Sequence, residues 1–337
     1  MRSSSIPWGK LIAQPGRGRE GDLILVQSLS NTGSTVTIEN QYGRDERIYK
    51  GDLFVGVLAS RKSGTSESGY IPKQGITIRS DTELHLLSVG GVVGIATCVP
   101  SWKNNVPLKL KPIGLLSLDK KTPLNLKSFC NDGANSLRKS SKIILVCGSS
   151  SEVGKTTVAS SLIKAMSNLD KRVAAIKIAG TGRMKDILQF RDAGADCWMD
   201  FVDVGLATTY TEAPIYRKAI YGLLNNVNSN KPDFIVAEAG GDLVEANVPS
   251  FISDASISRA ISAIVTVPAD IMAAIGAHSY LVKRGAKVPS FVSLPKMRNE
   301  YTSAMRLRKY LPMARVFDPL NAQSVKEVVN SITEIAI

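Results

Sequence analysis

Residues 142–159 read Lys-Ile-Ile-Leu-Val-Cys-Gly-Ser-Ser-Ser-Glu-Val-Gly-Lys-Thr-Thr-Val-Ala. The apolar run at 143–146 has the composition of a buried parallel strand. A loop of small residues follows, and then a helical pattern runs from Lys155 to about Leu169. Strand, glycine loop, Gly-Lys-Thr and helix together are the setting of a phosphate-binding P-loop. Its cradle is expected at Gly148, Ser149, Ser150, Ser151, Glu152, Val153, Gly154, Lys155, Thr156 and Thr157. Backbone N–H groups there would face phosphate oxygens, and the helix dipole would add to the attraction. Lys155 would reach the β- and γ-phosphates, and the Thr156 hydroxyl would ligate Mg²⁺. An ordinary strand-to-helix turn would not place a lysine at the positive end of a helix. The Gly-x₄-Gly-Lys-Thr template puts its first glycine at position 149, where this chain has Ser149; the glycine stands one residue earlier, at Gly148.

The segments around this motif divide in two. Up to about residue 130, short β-type runs recur at 23–26, 35–38, 53–58, 76–78, 84–87 and 92–97. Gly, Asn, Asp and Ser separate them, and no helical period competes. Residues 1–130 therefore read as a small all-β domain, a barrel or sandwich for substrate or partner binding. A stretch from about Asp119 to Ser141 is rich in Lys, Asn and Ser, and residues 131–141 read as a linker. From 142 to 337, strands at 143–146, 173–178, 234–237, 263–267 and 290–294 alternate with helical patterns. That alternation predicts an α/β domain, a P-loop parallel sheet with helices on both faces. Ligands of such sheets gather at the carboxyl ends of the strands.

Two strand ends carry further chemistry. After the second strand comes Lys177-Ile-Ala-Gly-Thr181-Gly182. Lys177 is placed to neutralise a transferring phosphoryl group or a substrate carboxylate, and Thr181 to orient an acceptor. Asp186 and Asp192 follow on a short helix, and either could complete a Mg²⁺ shell; Asp186 is the candidate ligand. After the third strand, Glu238 directly follows four apolar residues, the Walker-B arrangement, and would hold Mg²⁺ opposite Thr156. Gly240 and Gly241 let the backbone approach a ligand, and Asp242, Glu245 and Asn247 are polar residues of the same loop. In the β part, Arg61 and Lys62 offer a carboxylate or phosphate contact, or else a solvated loop. Residues 295–299 fall where a base-contact loop belongs, with no Asn-Lys-x-Asp guanine motif.

Composition narrows the class. The 337 residues carry a formal charge of +13, 44% hydrophobic and only 6% aromatic residues. That balance suits polyanionic ligands. The basic residues are scattered, without a long run or an aromatic-interleaved stripe, so nucleic acid is not an expected partner. Four dispersed cysteines and two histidines leave little material for a disulfide framework or a zinc site, and no window reaches membrane-spanning length. A cytoplasmic protein is the expectation.

At its three loops the chain resembles the dethiobiotin synthetase and cobyrinic/cobyric acid synthase group, within the P-loop class that also holds ParA/MinD-type ATPases. Dethiobiotin synthetases carry Gly-Thr-Asp-Thr-Glu-Val-Gly-Lys-Thr, which aligns without a gap on residues 148–156 and accounts for the displaced glycine. Their Lys-Pro-x-x-Ser-Gly matches Lys177, Thr181 and Gly182, and their Val-Glu-Gly-Ala-Gly-Gly lies near Glu238. The cobyric acid synthase form continues to Glu-Ile-Asn, which resembles Glu245, Ala246 and Asn247. Here Ser150 replaces an aspartate, Ile178 replaces the proline and one residue is missing around Glu238, so neither biotin nor cobalamin synthesis is implied. The resemblance implies an ATP- and Mg²⁺-dependent kinase or ligase that activates the carboxylate of a small acidic metabolite, with Lys155, Lys177 and Thr181 catalytic, and a homo-oligomer. Two alternatives stand beside it. One is a nucleotide-controlled switch or carrier ATPase. The other is an N-acyltransferase using the P-loop for coenzyme A phosphates, as has been proposed for a two-domain family of similar arrangement.

Overall fold

The computed structural model describes residues 6–101, 106–130, 133–286, 290–294 and 300–335. The chain forms two compact units, and their boundaries do not simply follow the order of the chain.

The first unit takes Met1–Asp132 together with two later stretches, Thr181–Lys185 and Phe201–Thr211. Its strands are β1 (Ile12–Gln14), β2 (Gly16–Gly18), β3 (Leu23–Ser28), β4 (Thr37–Glu39), β5 (Asp45–Arg47), β6 (Leu53–Leu58), β7 (Ser68–Tyr70), β8 (Ile76–Ile78), β9 (Leu84–Leu86), β10 (Val92–Cys98) and β11 (Leu108–Ser117). Pairing runs from β11 to β3, β6 and β10, then through β9 back to β11, so these strands close a ring. All of these pairings are antiparallel except β6 with β10. Of the expected barrel or sandwich, the closed ring is the barrel. Ile24, Val26, Leu58, Leu86, Val93 and Leu110 form its interior.

The longest strand, β11, is absent from the sequence expectation. Its Leu-Lys-Leu-Lys alternation is a strand signal, but Pro112 and Gly114 argue against a central strand. The structure accommodates both with an irregularity between Pro112 and Gly114. A Cβ at Gly114 would lie 2.6 Å from the Gln14 backbone nitrogen, so the close approach of β1 requires glycine there.

The two later stretches are built into this unit. Thr181 and Thr208 form a β-bridge, and the Thr208 hydroxyl donates to the Ser60 carbonyl at 2.7 Å. Glu39 accepts from the Met184 and Lys185 backbone N–H groups at 2.6 and 2.9 Å. Arg183 pairs with Asp45 at 2.6 Å. Arg61 is committed to the interior: its guanidinium donates to the Leu87 carbonyl and lies 3.6 Å from Glu67, which accepts from the Thr35 hydroxyl at 2.5 Å. Burial pulls the Arg61 pKa down against the opposing pull of Glu67. Its role is structural.

The second unit comprises Gly133–Gly180, Asp186–Asp200 and Glu212–Ile337. Its strands are β12 (Lys142–Gly148), β13 (Val173–Ala179), β14 (Cys197–Asp200), β15 (Phe234–Ala239), β16 (Ile261–Val267), β17 (Ser290–Ser293) and β18 (Arg315–Phe317). They form one seven-stranded sheet in the order β14-β13-β15-β12-β16-β17-β18, parallel throughout. The P-loop strand β12 is central, and Ile143 through Val146 are fully buried, as a sheet covered on both faces requires. The helices are α1 (Lys155–Ser167), α2 (Met184–Asp192), α3 (Ala213–Asn228), α4 (Val248–Ser253), α5 (Ala255–Ser258), α6 (Ile271–Lys283), α7 (Glu300–Tyr310) and α8 (Ala322–Ile335). α1 buries Val158, Ala159, Leu162, Ile163 and Met166 and packs on α8. There Val325, Val328, Val329 and Ile332 recur at helical spacing as the buried stripe.

The described part of the expected linker is a strap along α3. The Ala134 N–H donates to the Lys218 carbonyl at 2.8 Å. Asn225 and Asn228 accept from the Arg138 and Ser141 N–H groups at 2.9 and 2.8 Å. Polar composition had suggested a tether; here the polar groups on α3 bind it down. Among the described residues, no helix is long and apolar enough to cross a membrane.

Candidate functional site

The P-loop is the turn from β12 into α1. Glu152 and Gly154 take left-handed conformations, with φ of 61° and 103°. Alternating turns of this kind aim successive N–H groups at one point. Gly154 is the N-cap of α1 and supplies no side-chain hydrogen bond, so the first N–H groups of the helix are not capped by it. A Cβ at Gly148 would lie 2.9 Å from the Val267 carbonyl oxygen and 3.0 Å from Lys155 Cδ. The displaced glycine is thus needed where the lysine side chain crosses the end of β12. Ser149, at the template's glycine position, accepts from the Ala269 N–H at 2.9 Å and ties the loop to the end of β16.

Lys155 is buried and donates to the Ser150 and Gly241 carbonyls at 2.6 and 2.7 Å. Burial lowers its pKa; Glu238 works the other way and Lys177 adds to the lowering. The Thr156 hydroxyl donates to Glu238 Oε1 at 3.2 Å. Glu238 ends the apolar run of β15 and is 2% exposed. Burial raises its pKa against the pull of Lys177 and Lys155. Its second oxygen, Oε2, is buried without a hydrogen-bond partner among the described residues.

That orphaned carboxylate oxygen beside a threonine hydroxyl fits Mg²⁺, which takes hard oxygen donors and keeps several waters and phosphate oxygens in its shell. Thr156 and Glu238 are the residues that would hold it. Among the described residues, no group of three or more His, Cys, Asp or Glu is placed to hold a metal on its own. When bound there, Mg²⁺ would supply positive charge against the negative charge of the nucleotide phosphates.

Lys177 lies at the end of β13, in register with Glu238 on one side and Asp200 on the other. It is buried and paired with Asp186. Burial disfavours its charge, but Asp186, Glu238 and Asp200 together outweigh that and raise its pKa. Asp186, expected beside the metal, is therefore engaged with the second lysine. Asp200 was missed by sequence reasoning. It is an acid at the carboxyl end of a short strand, and that position was the available signal. Tyr216 was missed too; its buried hydroxyl donates to the Ile178 carbonyl at 3.0 Å and braces the turn after Lys177. Thr181 belongs to the first unit, where it pairs with Thr208. Asp192 is exposed and bonded to Arg191.

The loop after β15 is conformationally constrained. Gly241, Ala246 and Asn247 all have positive φ, which is costly for the two non-glycine residues. A Cβ at Gly240 would collide with the Ala179 carbonyl oxygen and come within 3.1 Å of Lys177 Cε. The glycine pair read as room for a ligand is also what lets β15 and the Lys177 strand end close together. Residues 295–299, the expected base-contact loop, lie outside the described residues.

No curated protein sequence matches the chain. Among solved structures, the signal recognition particle 54 kDa protein of Aeropyrum pernix K1, in complex with GDP, is 16% identical with a TM-score of 0.39, over 60% of this chain and 50% of its own. Hydrogenase maturation factor HypB of Archaeoglobus fulgidus is 12% identical with a TM-score of 0.39, over 58% of this chain and 91% of its own. Chloroplast FtsY of Physcomitrella patens is 12% identical with a TM-score of 0.39, over 60% and 70%. The chain thus spans half the length of the first of these. Residues 144–334, more than half of the chain, match the CobQ/CobB/MinD/ParA nucleotide binding domain. The P-loop, the Thr156–Glu238 pair and the central position of β12 are in keeping with that match, and the chain belongs to this family of P-loop nucleotide-binding proteins.

Proposed function

We propose that the chain is a Mg²⁺-dependent nucleoside triphosphatase, with ATP as its nucleotide, whose bound-nucleotide state is read by the β unit. The observation that carries this is the chain's path beyond the phosphate site. Strand β13, which carries Lys177, runs through Gly180 into Thr181–Lys185, and β14 runs into Phe201–Thr211; both stretches are parts of the β unit. The main chain thus crosses from one unit to the other directly after each of these strands. Lys155 binds the phosphates, the α1 N-terminus and P-loop N–H groups orient them, and Thr156 and Glu238 hold the metal. Self-association of two copies on nucleotide binding belongs to the same reading.

A second reading, phosphoryl transfer to the carboxylate of a small acidic metabolite, is favoured by one observation: a second buried lysine, Lys177, on β13 in register with Glu238 of β15. One experiment separates the two. Phosphate release from ATP and from GTP is measured on the full chain with Mg²⁺ or with EDTA, alone and with a panel of small carboxylic acids, alongside sedimentation in each nucleotide state. The first reading expects slow Mg²⁺-dependent hydrolysis of ATP without any acceptor, together with a nucleotide-dependent sedimentation shift. Release that occurs only with a carboxylic acid replaces it with the second reading.

A further inference from the structure

At the amino-terminal edge of the α/β sheet, away from the P-loop, lies a cavity of about 290 Å³. Its walls come from two segments of the same compact unit. One is the strap that leads into β12, with Arg138, Lys139 and Ser140. The other is α5 and the turn that leads into β16, with Ser256 and Arg259. The two strands are paired neighbours, and at their start the Ile143 N–H donates to the Ala260 carbonyl at 2.7 Å. The walls are thus joined at their base. The seven residues of β12 separate the cavity from the P-loop, about 20 Å of extended chain.

The cavity is cationic and uncompensated. No acidic residue lines it. Among the described residues, the side chains of Arg138, Lys139 and Arg259 have no ion-pair partner. Asp254, the acid that begins α5, is engaged elsewhere. Its Oδ1 accepts from the Ser256 and Ile257 N–H groups at 2.9 and 3.1 Å. Its Oδ2 accepts from the Tyr221 hydroxyl at 2.8 Å and lies 3.3 Å from Arg217 Nε. The opposite wall is equally fixed. The Arg138 N–H donates to Asn225, and Asn228 donates to the Ser140 hydroxyl at 3.2 Å. The Ser141 hydroxyl donates to the Pro232 carbonyl at 2.7 Å. Three positive charges are therefore held on one concave surface, where an anion would relieve their repulsion.

We propose that this cavity is a binding site for a small phosphorylated anion, separate from the nucleotide site. Guanidinium groups match phosphate oxygens in pairs, and two of the three cations are arginines. The volume is at the small end of ligand pockets, the size for a compact polyanion. Bound phosphate would bridge the strap to α5 and so tie together the starts of β12 and β16.

Inorganic pyrophosphate is the probe, titrated by calorimetry into the full chain without Mg²⁺. A P-loop also attracts phosphate, so the titration is repeated in Lys155→Ala, which should retain one pyrophosphate site. Adding Arg138→Ala and Arg259→Ala to that variant should weaken the site by about 100-fold, at about 10-fold for each charged hydrogen-bond donor lost. Both arginines are exposed, so far-ultraviolet circular dichroism should not change. Lys326→Ala removes one exposed charge on α8, outside the cavity, and should leave affinity within 2-fold. Citrate, a carboxylate polyanion, should bind about 10-fold more weakly than pyrophosphate. The site is refuted if Lys155→Ala binds no pyrophosphate, or if binding survives the loss of both arginines. An equal loss in Lys326→Ala would reduce it to general surface charge, and equal affinity for citrate would overturn the phosphate class.

Discussion

The first residue of α1 and a residue near the end of β13 are two buried lysines with different partners. Lys155 donates to two neutral backbone carbonyls, of Ser150 and Gly241. Lys177 sits among carboxylates and is paired with Asp186. The consequence is opposite pKa shifts: burial prevails at Lys155 and lowers it, whereas at Lys177 the carboxylates outweigh burial and raise it. A lysine held by carbonyls is available to an arriving phosphate, because carbonyls are weaker partners than phosphate oxygens. A lysine held by a carboxylate is already neutralised and must exchange one anion for another.

The contrast can be broken by substitution. Lys155→Ala should cut Mg²⁺-ATP turnover by roughly 100- to 1000-fold, the range for losing one organised charge donor, with unchanged far-ultraviolet circular dichroism. Wild-type turnover in that variant would remove Lys155 from the mechanism. Lys177→Met should act mainly on stability. It leaves Asp186 and Glu238 without their counter-charge, at about 3–5 kcal/mol for a broken buried pair, to be read by urea denaturation. Lys155→Met should cost less than Lys177→Met, since carbonyls lose less than a carboxylate does; the reverse order would refute the comparison.

The opposite shifts also predict opposite slopes with pH in the nucleotide-free protein. Lys177, with its folded pKa raised, contributes stability that is present below the unfolded lysine value near 10.4 and lost as pH rises through the folded value. Lys155, with its folded pKa lowered, opposes folding while protonated, and that opposition fades as pH climbs through the folded value toward the unfolded one. Denaturation between pH 8 and pH 11 should therefore show Lys177→Met flattening the alkaline loss of stability and Lys155→Met steepening it. Gly240→Ala, which pushes a methyl group onto the Ala179 carbonyl, sharpens the comparison at smaller scale. About 1–3 kcal/mol of overpacking cost is expected, with nucleotide affinity reduced because Lys155 donates to neighbouring Gly241.

What the sequence disclosed follows the strength of its local signals. The strands over 143–146, 173–178, 234–237 and 263–267 were legible because strands buried on both faces read as nearly continuous apolar runs, broken here only by Lys177 and Thr266. The short edge strands β14 and β18 were not, since three or four residues at a sheet edge carry little pattern. The P-loop and Glu238 were legible because their chemistry is contiguous with a strand end. The partnership of Lys177 with Asp186 and Asp200 was not, because it joins a strand end, a helix and another strand end that only the fold brings together. Pro112 and Gly114 concealed β11 by the rules that usually exclude a central strand. Nothing in 181–185 or 201–211 distinguishes residues that pack in a barrel unit from ordinary α/β loops.

That barrel unit is built from parts of the chain that are made at different times. Residues 1–132 are made before Thr181–Lys185 and Phe201–Thr211, which belong to the same compact unit. The last of these stretches ends at Thr211, about 4–16 seconds of synthesis later at ordinary rates of roughly 5–20 residues per second. During that interval the P-loop strand and α1 are already made. The strands that close the barrel ring, β3, β6, β9, β10 and β11, are thus all made before the two stretches that later join their unit.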